Sequence, residues 1–199
     1  MKVLVSACLM GRCCRYDATA RYDGALADAL ATCEIVPICP EEEGGLACPR
    51  PASEIAPGVR RVFDACGRDV TEAFARGAAC ALDAARAGGC RWAVLKAKSP
   101  SCGSGAIYDG SFSGRLAEGD GFTARALKDA GIAVFDEESF VREAPALLAR
   151  FRRAAVAKAQ PARRLGVLGV FRHGASHLRR SFLICEQTFV IMLYANKRS

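Results

Sequence analysis

The sequence predicts an α/β protein: a small, mainly parallel sheet flanked by helices in a Rossmann-like three-layer arrangement, followed by a basic C-terminal extension. Three features carry this prediction. Short apolar runs of strand length alternate with helical patterns over residues 1–158. Glycine pairs and glycine-proline stretches separate them, as at Gly88-Gly89. Charge then changes abruptly, since residues 150–199 hold 11 of the 28 Lys+Arg but 1 of the 21 Asp+Glu.

Val3-Leu4-Val5 is the first strand and leads into Ser6-Ala7-Cys8. Residues 25–32 (ALADALAT) have a short helical pattern. Glu34-Ile35-Val36-Pro37-Ile38 is the second strand, and Cys39-Pro40 ends it. After a stretch rich in glycine and proline, Asp69-Val70-Thr71 opens an alanine-rich helix over residues 72–87, where helix propensity is highest. Gly88-Gly89 stops it before Trp92-Ala93-Val94-Leu95, a third strand that runs toward Ser99-Pro100-Ser101-Cys102-Gly103. A glycine-rich loop fills residues 107–121, and a helix follows at 123–130. Ile132-Ala133-Val134-Phe135 is the fourth strand, and a last helix spans about residues 139–158. Two segments result: a domain at 1–158 and a basic extension at 159–199.

Composition excludes several classes. With 51% hydrophobic and 25% charged residues among 199, the chain is a folded protein rather than a disordered one. Its apolar runs stop short of the roughly 20 residues a spanning helix needs, so no membrane partner is expected. The opening MKVLVSACLM runs into Gly11-Arg12-Cys13-Cys14-Arg15 without a small-residue cleavage site, so a cytoplasmic protein is expected. Eleven cysteines in such a chain then point to metal binding or thiol chemistry, not to a disulfide framework. Gly103-Ser104-Gly105 lacks the remaining spacing of a dinucleotide or P-loop motif. The basic stretch at 163–180 is suited to contact with nucleic acid, or is simply solvated. His173 and His177 have helical chelating spacing but no carboxylate or cysteine close by.

Parallel α/β sheets bind ligands at the carboxyl ends of their strands. Cys8, Cys39 and Cys102 all fall at that edge in the predicted topology, although 31 and 63 residues separate them in sequence.

The motifs around these cysteines form a set. Ser6-Ala7-Cys8-Leu9-Met10-Gly11, Pro37-Ile38-Cys39-Pro40-Glu41, Gly44-Gly45-Leu46 with Pro49-Arg50-Pro51, Gly67-Arg68-Asp69-Val70-Thr71, Ser99-Pro100-Ser101-Cys102-Gly103 and Ile107-Tyr108-Asp109-Gly110-Ser111-Phe112 follow in this order. Over about residues 2–140 the chain resembles domain-of-unknown-function family 523, whose characterised branch is the thiouracil desulfidases. It departs from the family pattern at Gly45-Leu46-Ala47-Cys48-Pro49-Arg50, where Gly-Leu-Pro-Thr-Pro-Arg is usual, and at Ala18 after Tyr16-Asp17, where glycine is usual. The resemblance implies a 4Fe-4S cluster held by Cys8, Cys39 and Cys102, with Glu41 and Ser99 as catalytic side chains. It also implies loss of sulfur from a small thiolated nucleobase without net redox change.

Chemistry independent of the family agrees with this. Thiolates are the ligands that iron-sulfur clusters take, and three ligands leave one iron open as a Lewis acid. Glu41 follows Cys39 by two residues and is placed to deprotonate water. Ser99 and Ser101 flank Pro100 beside Cys102, where their hydroxyls are suited to bond cluster sulfurs or a substrate ring. Arg50 either holds an anion or ring carbonyl or brackets the surface. Cys14 and Cys48 are further candidates near the site; the other cysteines read as structural. The alternative is a non-catalytic thiolate metal-binding module, holding zinc or an iron-sulfur cluster. It is opposed by the lack of any CxxC pair.

Overall fold

A computed structural model describes residues 1–159. In chain order it contains β1 (Lys2–Ser6), a 3-10 turn (Ala7–Met10), α1 (Gly24–Ala29), β2 (Glu34–Ile38), α2 (Pro40–Glu43), β3 (Ser53–Ile55) and β4 (Val62–Asp64). There follow α3 (Thr71–Gly88), β5 (Trp92–Leu95), β6 (Ala106–Tyr108), β7 (Leu116–Glu118), α4 (Phe122–Asp129), β8 (Ala133–Asp136) and α5 (Glu137–Ala159). The basic extension, with the nucleic-acid contact and histidine pair considered for it, lies outside the described residues.

The main sheet is four-stranded in the order β2-β1-β5-β8, with every neighbouring pair parallel. Period-two alternation in β1 explains the layering. Val3 and Val5 pack with Leu26 of α1, Leu30 at its C-cap, and Phe140 and Ala144 of α5. Leu4, pointing the other way, packs with Ala81 and Ala85 of α3 and Ala124 and Leu127 of α4. Helices therefore cover both faces, and β1 is buried on both, which is why it reads as an unbroken apolar run. No helix among the described residues is long and apolar enough to cross a membrane.

Two hairpins were not expected. β3 pairs antiparallel with β4, and β6 with β7, the second pair falling, except for Ala106, in the stretch predicted as a glycine-rich loop. Their strands have three residues each, too short for a legible alternation. The last helix begins at Glu137, two residues before the expected start, and Pro145 lies inside it.

Because β1 and β5 lie at the centre, the chain reverses strand order between them, and their carboxyl ends open a crevice. Side chains tie the crevice together. Ser6 at the end of β1 accepts a hydrogen bond from the Lys96 backbone N–H at 3.0 Å, just past β5. Glu137 accepts from the Ala97 backbone N–H at 2.8 Å and pairs with the Lys96 ammonium, fixing the same segment to α5.

Candidate metal and substrate site

Each of the three strand-end cysteines has its own local support. Cys8 sits in the 3-10 turn after β1, and its carbonyl accepts the Arg21 N–H at 2.8 Å. Cys39 is the N-cap of α2, with Pro40 in the first turn, where a missing N–H costs nothing. Cys102 follows β5 in a loop pinned to the start of α4: Phe122 N–H donates to Pro100 O at 3.0 Å and Thr123 N–H to Ser101 O at 2.8 Å. Ser6 Oγ donates to Cys102 Sγ at 3.5 Å, across 96 residues of sequence.

The three thiols line one cavity of about 560 Å³, within the usual range for small-molecule sites. They are buried, at 8%, 8% and 6% relative exposure. Cys14 joins them there at 1%. Ser6, Arg15, Tyr16, Arg21, Glu54 and Lys98 are among the other lining residues.

Charge is disfavoured on the sulfurs of Cys39, Cys102 and Cys14. The Cys39 thiol is pushed well above the ordinary range, first by its hydrogen bond with Cys14 and then by burial. Burial pushes Cys102 up to about 12, against hydrogen bonding from Ser6 and with the Glu41 and Cys39 charges adding to the rise. Cys14 reaches about 11: its hydrogen bond with Cys39 acts downward but is outweighed by the Cys8 contact, burial and nearby negative charge. Crowded, buried thiols of this kind hold their protons unless a cation compensates their charge, and metal binding then releases protons. The donor set fits a thiolate-ligated metal group.

Glu41 and Ser99 meet at the cavity wall, where Ser99 Oγ donates to Glu41 Oε1 at 3.4 Å. Ser99 Oγ also accepts the Ser101 N–H at 3.1 Å and the Cys102 N–H at 3.2 Å, which fixes the hydroxyl against the backbone of the Cys102 loop. Arg50 holds the other carboxylate oxygen: its Nε donates to Glu41 Oε2 at 2.8 Å, and its second amino group lies 2.7 Å from the same atom. Its remaining bonds go to the Ala47 and Cys14 carbonyls at 3.1 Å each. Burial works against the Arg50 cation, but the Glu41 charge and hydrogen bond outweigh it and raise its pKa. The side chain expected to meet substrate is therefore engaged with Glu41. Ser101 lies outside the cavity lining; its hydroxyl pairs with that of Thr123 at 3.0 Å, in the core. Cys48 likewise stays outside, its thiol donating to the Cys13 and Arg15 carbonyls at 3.4 and 3.3 Å.

Glu54 was not singled out from the sequence. It is buried on β3, lines the cavity and accepts the Phe112 N–H at 2.9 Å, a bond that spans 58 residues and has no local signature.

The family model for 2-thiouracil desulfurase matches residues 3–139. The chain belongs to the 2-thiouracil desulfurase family. Among curated relatives, the uncharacterized protein YbbK of Bacillus subtilis (strain 168) is 39% identical over 143 residues, which is 68% of this chain and 95% of YbbK. Among solved structures, that of the 4Fe-4S-dependent thiouracil desulfidase TudS is similar with 43% identity and a TM-score of 0.68. The match covers 74% of this chain and 98% of that one.

Proposed function

We propose that the protein removes sulfur hydrolytically from a small thiolated nucleobase such as thiouracil, using a 4Fe-4S cluster bound by Cys8, Cys39 and Cys102. The observation that carries this is the convergence of three buried thiols, from the segments that follow β1, β2 and β5, on one cavity that also contains the Glu41–Ser99 pair. The name and cofactor of the TudS relative support it.

When bound, a cluster with three protein thiolates supplies an iron with an open position, a Lewis acid toward sulfur. The chain's own residues handle water and protons. Arg50 holds Glu41 Oε2, which leaves Oε1 toward Ser99 and the cavity. Glu41 Oε1 takes a proton from water as its oxygen attacks the thiocarbonyl carbon, and Ser99 relays protons between Glu41 and the substrate ring. The C–S bond breaks, a carbonyl replaces the thiocarbonyl, and sulfide leaves. No electrons are consumed.

The test is anaerobic purification with iron and sulfide analysis, then assay with thiouracil in the absence of reductant. Close to four irons per chain and sulfide release equal to uracil formed are expected. Cys8→Ser, Cys39→Ser and Cys102→Ser should each lose the visible absorption, while Cys80→Ser, at an exposed position, retains it. An iron-free protein, or turnover that demands a reductant, would overturn the reading.

A further inference from the structure

The fourth cavity cysteine is left over from this chemistry, and its surroundings differ from those of the other three. One sulfur each from Cys14 and Cys39 and one carboxylate oxygen of Glu42 lie within 4.8 Å of one another. Ligands on separate irons of a cluster stand farther apart than ligands on one ion. Zinc bonds of about 2.3 Å to sulfur and about 2.0 Å to oxygen at tetrahedral angles place neighbouring donors roughly 3.5–3.8 Å apart. The trio is therefore compact enough for one ion after small side-chain rotations.

Its construction is local on one side and tertiary on the other. Cys39 caps α2, and Glu42 follows three residues later, which brings both to one face of that turn. Cys14 comes from the loop after the 3-10 turn, and its carbonyl accepts from Cys39 Sγ at 3.5 Å. Among the described residues, Glu42 Oε2 is the one buried side-chain oxygen without a hydrogen bond. Arg12 lies 2.7 Å from it without the alignment of such a bond, and Arg12 is more than half exposed, so a metal ion can displace it.

We infer that Cys14, Cys39 and Glu42 form a mononuclear site for a borderline-soft divalent cation, zinc above all, which overlaps the iron-sulfur ligand set only at Cys39. Two thiol protons pass to solvent on binding, and water fills the fourth position beside the cavity. Because Cys39 serves one metal group at a time, zinc occupancy excludes cluster assembly. The site does not depend on the desulfidase reading, since its donors are present whatever the cavity turns over.

The experiment uses the full-length chain expressed with iron withheld, and titrates it anaerobically with cobalt(II), whose absorption reports coordination geometry. One tetrahedral cobalt per chain with thiolate charge-transfer bands is expected, displaced by zinc. Cys14→Ser and Glu42→Gln should each weaken binding by about tenfold or more, since even partners of metal ligands act on that scale. Cys102→Ser should bind as the wild type does. Iron-loaded preparations should show the opposite pattern: Cys14→Ser keeps the cluster and Cys102→Ser loses it. If Cys14→Ser does not fold, Glu42→Gln, an isosteric change at a partly exposed side chain, carries the test alone. Absent or octahedral cobalt, loss of binding in Cys102→Ser, or wild-type binding in Glu42→Gln would overturn the inference.

Discussion

At the scale of single residues, the decisive arrangement is the chain Arg50–Glu41–Ser99, in which one carboxylate oxygen is clamped and the other is presented. Glu41→Gln keeps the shape and removes the proton acceptor. Turnover of thiouracil should fall by about a hundred- to ten-thousand-fold with iron content unchanged, the usual span for a general base. Arg50→Lys keeps the charge but not the planar fork that sets both Nε and the second amino group against Glu41 Oε2, so it should fall less far and be restored by no added reductant. Wild-type turnover in Glu41→Gln would remove Glu41 from the reaction. At this scale the sequence was informative where chemistry is local: Glu41 lies two residues from Cys39, and Ser99 three from Cys102. The clamp by Arg50 and the withdrawal of Ser101 to Thr123 were not legible, because each depends on a partner far along the chain or on another element.

At the scale of elements, α2 carries Cys39, Glu41 and Glu42 and is held by unusually close packing against α3. A Cβ on Gly77 would stand 1.9 Å from the Pro40 carbonyl oxygen, and one on Gly44 2.1 Å from that of Ala73. Gly77→Ala must push the two helices apart, at a cost of roughly 1–3 kcal/mol or more. A lower thermal midpoint together with reduced iron per chain is the expected result. A variant equal to wild type in both would show that α2 shifts without moving Cys39. The start of α3 supplies a pH prediction. Hydrogen bonds from the Thr71 side chain, the Thr71 backbone and Arg61 hold the Asp69 carboxyl down at about 2, below its ordinary 3.8. A depressed folded-state value gives stability that is fully present above the unfolded value and is lost as pH falls through the folded one. Urea midpoints should therefore decline between pH 3.8 and about 2, and Asp69→Ala should flatten that decline. An identical pH dependence in the variant would assign acid sensitivity to other carboxylates.

At the scale of the whole molecule, residues Met1–Gln160 form one compact unit, and the family match ends inside it at residue 139. Every residue assigned to the site precedes Gly114 in the chain. Removing residues 160–199 should leave soluble protein with unchanged iron content and thermal midpoint. Insoluble or iron-poor truncated protein would make the basic segment part of the folding unit. The sequence by itself determined the alternation of strands and helices, because burial on both sheet faces demands unbroken apolar runs and helices demand their own period. It also determined that Cys8 and Cys39 closely follow strand ends and that Cys102 lies in the loop after a third strand. Only the tertiary structure decided that β1 lies between β2 and β5, which is what brings Cys8, Cys39 and Cys102 to one cavity. The same holds for Cys14 beside Cys39, for Glu54 beneath the Phe112 loop and for the two hairpins. The reason is physical: periodicity records whether a residue is buried, but which buried groups meet is settled by sheet order and packing between segments tens of residues apart.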